Sequence, residues 1–305
     1  MTKHPDRLPV TVVVPTKNEA SQIGECLSRL AAFEDVVVLD SGSSDATAEI
    51  AEAHGATVIN FAWNGRYPKK RNWFLLNQPP KTPWVLFLDA DEFLDGAFCQ
   101  ELAAKLSDTE HAGFWLRYSN TFLGKELKHG VPQRKLALLR VGAGLYERIE
   151  EDNWSQLDME IHEHPILDGS QGEIKKPIEH REDRGLDQFL KKHLEYAAWE
   201  ANRFLALLGS DGGEANLTKR QSFKYRHLDR WWFALFYFVY TFFVRRGFLD
   251  YPAGWHYAAY KAWYFRTIRL LIREHRKSDR RLETAGFSTS GDEMSLTNNL
   301  NLEGK

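Results

Sequence analysis

The sequence is poor in cysteine, and its first residues contain no apolar segment. Only two of the 305 residues are cysteines, Cys26 and Cys99. Two cysteines exclude the disulfide framework of a small secreted domain, and such scarcity is typical of proteins from a reducing compartment. The opening MTKHPDRLPV has no apolar core, so we expect no signal peptide. These features favour a cytoplasmic protein.

Two glycine-rich phosphate-binding motifs are also missing. A dinucleotide-binding fold would show Gly-x-Gly-x-x-Gly after its first strand, whereas the sequence at that place is VVVPTKNEASQIG. A P-loop is absent as well. We therefore do not expect backbone amides alone to hold a diphosphate. A divalent cation on carboxylates is the alternative.

Hydrophobic runs long enough to span a membrane are absent from the aromatic part of the chain. The stretch WWFALFYFVYTFFV (Trp231–Val244) has 14 residues between Arg230 and Arg245. As a helix it would measure about 21 Å, whereas the hydrocarbon core of a bilayer is about 30 Å thick. We predict that this stretch does not span a membrane.

Charge is unevenly distributed along the chain, although the net charge is only −2. Residues 1–185 contain 21 Lys and Arg against 29 Asp and Glu, residues 186–281 contain 18 against 9, and residues 282–305 contain 1 against 4. The split suggests parts that face different partners, and we predict three parts with these bounds: a first domain, a helical basic and aromatic region, and a disordered tail.

Strand-like and helix-like patterns alternate in the first part. Short apolar runs predict strands at Val10–Pro15, Asp35–Asp40, Ala56–Asn60 and Pro83–Asp89. Between them, apolar periodicity predicts helices at Asn18–Phe33, 45–54 and Pro68–Asn77. This alternation predicts a parallel α/β sheet. The later segments GFWLRYSNTFLG and RKLALLRV are typical of antiparallel strands, which makes the predicted sheet mixed.

Polar residues follow three of the predicted strands. They are PTKNEA after the first strand, LDSGSSDAT at the end of the second, and Asp89-Ala90-Asp91-Glu92 after the fourth. Open α/β sheets bind ligands outside the carboxyl ends of their strands, so we expect these groups to converge. Asp89 and Asp91 suit Mg²⁺ or Mn²⁺, which use one or two protein carboxylates together with substrate phosphates.

At these residues the sequence resembles a known family. The segments VTVVVPTKNEA, VVVLDSGSSDAT and WVLFLDADE, in this order and spacing, resemble the inverting family 2 glycosyltransferases of the GT-A fold. KKRN, RKLALLR, IHEHP and the aromatic C-terminal part are similar to the branch of lipopolysaccharide core β-1,4-glucosyltransferases and related surface-polysaccharide enzymes. The resemblance implies a GT-A mixed sheet with flanking helices and a C-terminal aromatic helical appendage.

The resemblance also implies residues for a nucleotide-sugar, with a UDP-sugar as the expected donor. The implied nucleotide-sugar-binding residues are Pro15, Thr16, Asn18, Glu19, Asp40, Arg71, Asp89 and Ala90. The implied metal ligands are Asp89, Asp91 and His162, holding Mg²⁺ or Mn²⁺. Glu92 is either a supporting site residue or a charge at a helix start, and Asp40 either binds the nucleotide or caps the next helix.

The catalytic base implied by the resemblance is Glu163 within IHEHP. An inverting transfer needs a base to deprotonate the acceptor hydroxyl as it attacks the anomeric carbon. Alternatively, His-Glu-His is a surface turn, or His162 and His164 belong to a zinc site, for which no cysteine or further spaced histidine offers support.

The aromatic region is basic and amphipathic. In WHYAAYKAWYFRTIRLLIREHRK the basic residues fall on one arc of a helical wheel, and the apolar residues opposite them are Trp263, Tyr264, Ile268, Leu270 and Leu271. Such a helix either lies in a membrane interface or packs as a helical core. The region carries no RNA- or DNA-binding motif, so no nucleic-acid partner is expected.

The resemblance, together with these features, predicts an inverting glycosyltransferase with residues 1–185 as its catalytic domain. It would move a sugar to a glycan or lipid-linked glycan of lipopolysaccharide or surface polysaccharide, peripherally on the cytoplasmic face of the inner membrane. The absence of QxxRW, the signature of processive relatives, predicts one sugar per encounter. A sugar-1-phosphate nucleotidyltransferase and a non-catalytic, membrane-peripheral binding protein with a GT-A core remain as alternatives.

Overall fold

The structure is a computed structural model that describes residues 7–149, 151, 154–155, 157–160, 163–181, 185–209 and 217–284. Its described residues form two compact units. The first contains residues 7–189 and 238–259, and the second contains residues 190–237 and 260–284. The predicted domain bounds at residues 185 and 281 stay a prediction.

Strands and helices alternate through the start of the first unit, as the sequence predicts. They are β1 (Leu8–Thr16), α1 (Ile23–Ser28), β2 (Phe33–Asp40), α2 (Thr47–Ala53), β3 (Thr57–Asn60), α3 (Lys70–Asn77) and β4 (Trp84–Phe87). The next elements are mostly short strands. They are β5 (Glu92–Phe93), α4 (Gly96–Leu106), β6 (Gly113–Phe122), β7 (Lys125–Leu127), β8 (Arg134–Arg140), β9 (Gly144–Tyr146), β10 (Pro165–Leu167) and β11 (Gln171–Arg181).

The main sheet is mixed, with strand order β3-β2-β1-β4-β8-β6-β11-β5 and β7 paired to β6. β1 pairs in parallel with β2 and β4, and β2 pairs in parallel with β3. β8 is antiparallel to both β4 and β6. β9 and β10 form a separate two-stranded ribbon. The order reverses at β1, between β2 and β4, which is where open α/β sheets bind ligands.

Alternate residues of β1 enter two different cores, because successive side chains of a strand point to opposite faces. Val12 and Val14 pack with Ile23 of α1 and Phe98 of α4. Val13 packs on the other face, in the cluster that contains Phe74 of α3, Phe87 and Leu39. Burial on both faces explains the continuous β-branched run of this strand.

The first helix is much shorter than the predicted Asn18–Phe33. Asn18 has a φ of 58°, in the left-handed region that cannot continue an α-helix. Its side chain accepts a hydrogen bond from Ser44 N at 2.8 Å, and its own N–H donates to Ser43 Oγ at 2.8 Å. The residues after β1 therefore form a loop bound to the loop after β2.

From Leu186 to Thr284 the described elements are helical. Its elements are α5 (Leu186–Gly209), α6 (Lys219–His227), α7 (Phe233–Val239), a π-helical turn (Tyr240–Val244), a 3₁₀ turn (Gly247–Asp250) and α8 (Ala253–Thr284). Among the helices that the structure describes, none combines the length and the hydropathy needed to cross a bilayer.

The apolar stripe predicted on α8 is largely a core face. Tyr264 and Ile268 are buried in the core of the second unit, and Leu271 packs against it. Only Trp263 and Leu270 are exposed. The helical-core alternative therefore holds for three of the five residues of this stripe, and the membrane association of the region stays a prediction.

Two of the basic residues opposite that stripe bind within the second unit. Arg269 Nε donates to Asp229 O at 3.0 Å, and Arg276 forms an ion pair with the Asp229 carboxylate at 3.3 Å. The same unit contains an ion pair between Lys224 and the buried Glu200 at 2.7 Å. The positive charge of α8 is therefore partly neutralised inside its own unit.

Candidate active site

The loops after β1 and β2 meet at the carboxyl edge of the sheet. Thr16 pairs with Asp40 in the register of the two strands, and Thr16 Oγ1 donates to Asp40 Oδ1 at 3.0 Å. Asp40 is 2% exposed and also accepts from Ser43 N at 2.8 Å. Asp40 therefore fixes the loop after β2. It does not cap α2, which begins only at Thr47.

The remaining residues predicted to bind the nucleoside lie beside this pair. Pro15 is buried in β1, Asn18 is exposed, and Glu19 is half-buried. Glu19 N donates to Thr47 Oγ1 at 2.8 Å. The structure thus brings the predicted residues after β1 and β2 together, through hydrogen bonds between two loops that lie far apart in sequence.

Asp89, just after β4, is part of a cluster of alternating charge. Its Oδ1 accepts from Arg71 Nη2 at 3.0 Å, and its Oδ2 forms an ion pair with Lys135 Nζ. Lys135 Nζ also binds Glu92 Oε1. Glu92 in turn accepts the backbone N–H of Asp89 at 3.0 Å. Ala90 is buried between the two acids in sequence. Glu92 lies in β5 and contacts this cluster, so it does not begin a helix, and its role as a supporting site residue stays a prediction.

Burial and charge shift the pKa values in this cluster. Burial of the Glu92 carboxyl raises its pKa, which Lys135 counteracts and Asp89 reinforces. Partial burial lowers the pKa of Lys135. The charges of Asp89 and Glu92 have a larger, opposite effect, so the pKa of Lys135 lies well above its ordinary value. Lys135 is thus a firmly charged partner of two carboxylates.

Asp91 is buried and has different neighbours. Its carboxylate oxygen Oδ2 lies 3.6 Å from His180 Nε2, and His180 Nδ1 lies 3.1 Å from Asn120 Oδ1. Burial lowers the pKa of His180, whereas the hydrogen bond and the charge of Asp91 raise it, with a net upward shift. Protonated His180 on β11 therefore supplies a counter-charge beside the Asp91 carboxylate.

The predicted metal ligands are only partly described. His162 lies outside the described residues. Among the residues that are described, no group of three or more His, Cys, Asp and Glu side chains is arranged to hold a metal ion. Asp89 and Asp91 nevertheless supply oxygen donors of the type that Mg²⁺ and Mn²⁺ prefer. Two protein carboxylates fit an ion that takes its other ligands from phosphates and water.

The start of α3 connects several acids to this edge. Lys69, Lys70 and Arg71 are all buried, which excludes an ordinary solvated face. Lys70 Nζ donates to Thr16 O at 3.2 Å and lies 3.3 Å from an Asp158 carboxylate oxygen. The basic triplet therefore joins β1 to the segment before β10.

Glu160 holds the first turn of α3. Its carboxylate accepts the N–H groups of Arg71 and Asn72, each at 2.9 Å, and its backbone oxygen accepts from Arg71 Nη1. Free N–H groups and the positive end of the helix dipole favour an acid at this place. Burial raises the pKa of Glu160.

Glu163 lies in the same region. Its side chain is 2% exposed, and its Oε1 accepts from Lys69 Nζ at 3.0 Å. Lys69 also forms an ion pair with Glu151. Glu163 lines a small pocket together with Tyr67 and Glu160. The structure therefore excludes a surface turn at Glu163, and the base assignment stays a prediction.

Several residues of this site have no counterpart in the sequence-based assignment, and Lys135 and Glu160 are two of them. The signal for Lys135 is a basic residue at the start of the strand RKLALLR, whose following residues Leu136–Leu139 are buried. Glu160 gives no comparable signal. It caps α3 from 89 residues further along the chain, and the sequence around either position has no pattern that predicts this contact.

Comparison with known proteins agrees with this geometry. Residues 11–157 match the family model described as Glycosyl transferase family 2. The lipopolysaccharide core biosynthesis glycosyltransferase LpsC of Rhizobium meliloti (strain 1021) is 26% identical over 206 residues, which is 65% of this chain and 72% of LpsC. The glycosyltransferase AglJ of Haloferax volcanii is 34% identical over 107 residues, which is 34% of this chain and 33% of AglJ.

Two solved structures also align with the chain. Residues 1–349 of S. aureus TarS give a TM-score of 0.41 at 17% identity, covering 89% of this chain and 92% of that one. Glucosyl-3-phosphoglycerate synthase from Mycobacterium tuberculosis, in complex with Mn²⁺, UDP and glucosyl-3-phosphoglycerate, gives 0.30 at 24% identity, covering 37% and 44%. The chain thus spans about a third of AglJ and less than half of the synthase. Residues 11–157, which contain the ends of β1, β2 and β4, thus match the family 2 glycosyltransferases, and the mixed sheet with flanking helices has the arrangement that the resemblance to the GT-A fold predicts.

Proposed function

We propose that this glycosyltransferase uses a nucleotide-sugar, with UDP as the expected nucleotide, and inverts the anomeric centre in a single displacement. The observation that carries the proposal is the cluster of Arg71, Asp89 and Lys135 at the carboxyl end of β4. It lies on the strand next to β1, whose end carries the Thr16–Asp40 pair. The two groups together suit the two halves of a nucleoside diphosphate.

The cations of the cluster suit the diphosphate. Arg71 Nη2 and Lys135 Nζ both contact Asp89. Arg71 Nε is buried, and among the described residues no acceptor lies within hydrogen-bond distance of it. A guanidinium binds phosphate oxygens through several N–H groups at once. In our proposal Arg71 and Lys135 contact the diphosphate and stabilise the charge that develops as it leaves.

The Thr16–Asp40 pair suits the nucleoside. Asp40 Oδ1 accepts from Thr16 and Ser43, while its Oδ2 accepts from Ser43 N. A carboxylate has about four acceptor sites, so Asp40 keeps acceptor capacity for an N–H or hydroxyl of the base or ribose. Pro15, Asn18 and Glu19 would form the adjoining wall.

Asp89 and Asp91 would hold the proposed Mg²⁺ or Mn²⁺, with His162 as the expected third ligand. When bound, the ion supplies positive charge to the leaving diphosphate. Lys135 already neutralises Asp89 and Glu92. The lysine thereby lowers the pKa of Glu92, against the raising effect of its burial.

Glu163 is the proposed base. In the displacement, the acceptor hydroxyl gives its proton to the carboxylate, its oxygen bonds to the anomeric carbon, and the bond from that carbon to the phosphate oxygen breaks. Lys69 lies 3.0 Å from Glu163 and two residues before Arg71. One turn of α3 thus connects the proposed base to the Asp89 cluster.

The proposed acceptor is a glycan or lipid-linked glycan of lipopolysaccharide or surface polysaccharide, encountered on the cytoplasmic face of the inner membrane. The similarity to LpsC, whose name specifies lipopolysaccharide core biosynthesis, supports this choice. The lipid-linked acceptor and the membrane location are both part of this proposal.

Product analysis tests the mechanism. Incubation with a panel of nucleotide-sugars and Mn²⁺ should yield a glycoside or free sugar whose anomeric configuration, read by proton NMR at early times, is opposite to that of the donor. Retention of configuration would refute a single displacement. Glu163→Gln should still bind the donor and form no product, and turnover in that variant would exclude Glu163 as the base.

A further inference from the structure

An exposed apolar ridge lies in the first unit, between the π-helical turn and the start of α8. Its side chains, which we call the ridge, are Phe243, Val244, Arg245, Arg246, Phe248, Leu249, Tyr251 and Trp255. The apolar members are 43% to 67% exposed. Contiguous large apolar side chains on a protein surface mark an interaction site.

The ridge is firmly held by the residues between its members. Asp250 is 4% exposed and accepts the N–H of His129 at 2.7 Å, with His129 Nδ1 at 3.1 Å. Gly130 N donates to Arg245 O at 2.9 Å. Lys125 Nζ donates to Tyr251 O at 3.0 Å. The exposed side chains therefore belong to a surface whose backbone is held by hydrogen bonds to β7 and to the loop between β7 and β8.

The residues beneath the ridge are closely packed, which also holds its backbone in place. A Cβ atom on Gly254 would lie 2.1 Å from Gly247 O, so only glycine fits there. Phe242 stacks on Phe238 with ring centroids 5.7 Å apart and contacts the Trp255 ring edge-on at 5.3 Å. The backbone under the ridge is thus fixed by contacts on both sides.

The charges of the ridge are of one sign. Arg245 and Arg246 are exposed, and so are Lys125, Glu126 and Lys128 in β7 and the loop after it, which leaves a net positive charge. Between residues 238 and 259 the sequence has one acid, Asp250, which is buried against His129. Aromatic rings combined with Arg side chains are what an anionic membrane interface attracts.

A second copy of the chain fits this surface less well. In a two-fold symmetric dimer a patch faces itself. Arg245 and Arg246 would then enter an interface in which residues 238–259 of neither copy offer an exposed acid, while Glu126 of β7 already accepts from Ser119 Oγ at 2.6 Å. Like charges brought together in a desolvated interface are costly.

The loop next to the ridge also leads to the acidic cluster. A cavity of about 150 Å³ is lined by Arg245, His129, Tyr257, Tyr118 and Asn120. Tyr118 Oη lies 3.4 Å from Glu92, and Asn120 contacts His180, the neighbour of Asp91. The cavity therefore joins a residue of the ridge to residues that contact the acids at the end of β4.

We infer that the ridge docks the catalytic unit on an anionic phospholipid surface and brings this cavity to the lipid. The inference rests on the proposed lipid-linked acceptor, but it assigns the contact to residues 243–255 and away from the apolar stripe of α8.

Vesicle sedimentation of the full chain tests the inference. The protein is mixed with vesicles of phosphatidylcholine alone or of phosphatidylcholine with phosphatidylglycerol, and the bound fraction is measured. We expect binding to the anionic vesicles. Each arginine near an anionic surface contributes about fivefold to partitioning, so Arg245→Gln with Arg246→Gln should lower partitioning by about thirtyfold. Phe243→Ser with Phe248→Ser should weaken binding to both vesicle types.

Matched controls separate the ridge from general effects. Lys81→Gln with Lys105→Gln removes the same charge from exposed positions elsewhere, and Ile166→Ser removes an apolar side chain that is 57% exposed. Both controls should bind vesicles like the unmodified protein. Unchanged binding of the ridge variants, or no vesicle binding at all, overturns the inference. So does loss of a dimer, measured by light scattering, in Phe243→Ser with Phe248→Ser without a change in vesicle binding.

Nucleotide-sugar binding, measured on the same samples without vesicles, keeps the two proposals apart. Ridge-dependent vesicle binding without any donor binding would refute the proposed function and leave the ridge assignment standing. Donor binding together with vesicle binding that does not depend on the ridge would refute the ridge assignment and leave the proposed function standing.

Discussion

Replacing Lys135 with methionine should destabilise the protein by removing the counter-charge of two acids. Glu92 is 1% exposed and Asp89 is 29% exposed, and Lys135 binds both. Removing one partner of a fully buried pair costs about 3–5 kcal/mol. Lys135 is itself 42% exposed, so water will screen part of the loss. We expect the free energy of unfolding to fall by about 2–3 kcal/mol at pH 7.

The loss should depend on pH with a definite sign. Lys135 lowers the pKa of Glu92, which burial raises. Without the lysine, the folded-state pKa of Glu92 rises further above its unfolded value. A carboxyl group whose pKa is higher in the folded than in the unfolded state lowers stability as the pH rises from its unfolded-state pKa towards its folded-state pKa. The difference between Lys135→Met and the unmodified protein should therefore be smallest in mild acid and grow towards neutral pH.

Urea unfolding between pH 5 and 8, without added metal, measures this difference. Glu92→Gln and the double variant complete a cycle, and the double variant should be more stable than the sum of the two single losses predicts. A loss below about 0.5 kcal/mol at pH 7, or a loss that shrinks with rising pH, would refute the role given to Lys135.

Three further predictions concern single residues. Asp91→Ala should abolish metal-dependent donor binding measured by calorimetry, and binding that still responds to Mn²⁺ would contradict the assignment. Glu160→Gln should cost about 1–3 kcal/mol of stability in urea unfolding, because an amide group would face the N–H groups of Arg71 and Asn72; a neutral substitution would exclude the capping role. The raised pKa of His180 means that its pair with Asp91 stabilises fully below the ordinary histidine pKa of about 6.5 and fades as the pH rises through the folded value. The stability difference of His180→Gln should follow that course in metal-free buffer, and a difference that increases with pH would contradict it.

Much of the sheet edge that carries Thr16, Asp40 and Asp89 could be predicted from sequence, because buried parallel strands have a clear pattern. The β-branched runs before Thr16 and Asp40 are buried on both faces, and their register brings those two residues side by side. Asp89 follows the strand beside them. Once the strands are recognised, the polar residues at their ends must meet at one edge.

Other parts of the site depend on contacts that no local pattern encodes. Lys135 reaches Asp89 from a strand 46 residues later, and Glu160 caps a helix that starts 90 residues before it. The predicted helix from Asn18 is shortened because Asn18 adopts a left-handed conformation to bind the next loop. Apolar periodicity alone does not distinguish this loop from a helix.

The aromatic region shows a different limit. Helical periodicity identifies the apolar stripe of α8, but it does not say what covers that stripe. Tyr264 and Ile268 are buried in the core of the second unit, while Phe243 and Val244 are exposed in the first. The composition of this region predicts an apolar and basic surface. Which apolar residues are exposed on it and which are buried is known only from the packing.

Calorimetric titration of the full chain with a panel of nucleotide-sugars, in the presence and absence of Mn²⁺, tests the central claim most directly. The account predicts that a UDP-sugar binds with Mn²⁺ present and that Asp89→Asn or Arg71→Met removes this binding, while Ile166→Ser, remote in sequence, leaves it unchanged. If no nucleotide-sugar binds with the metal present, or if binding persists in both site variants, the Arg71–Asp89–Lys135 cluster is not the donor site.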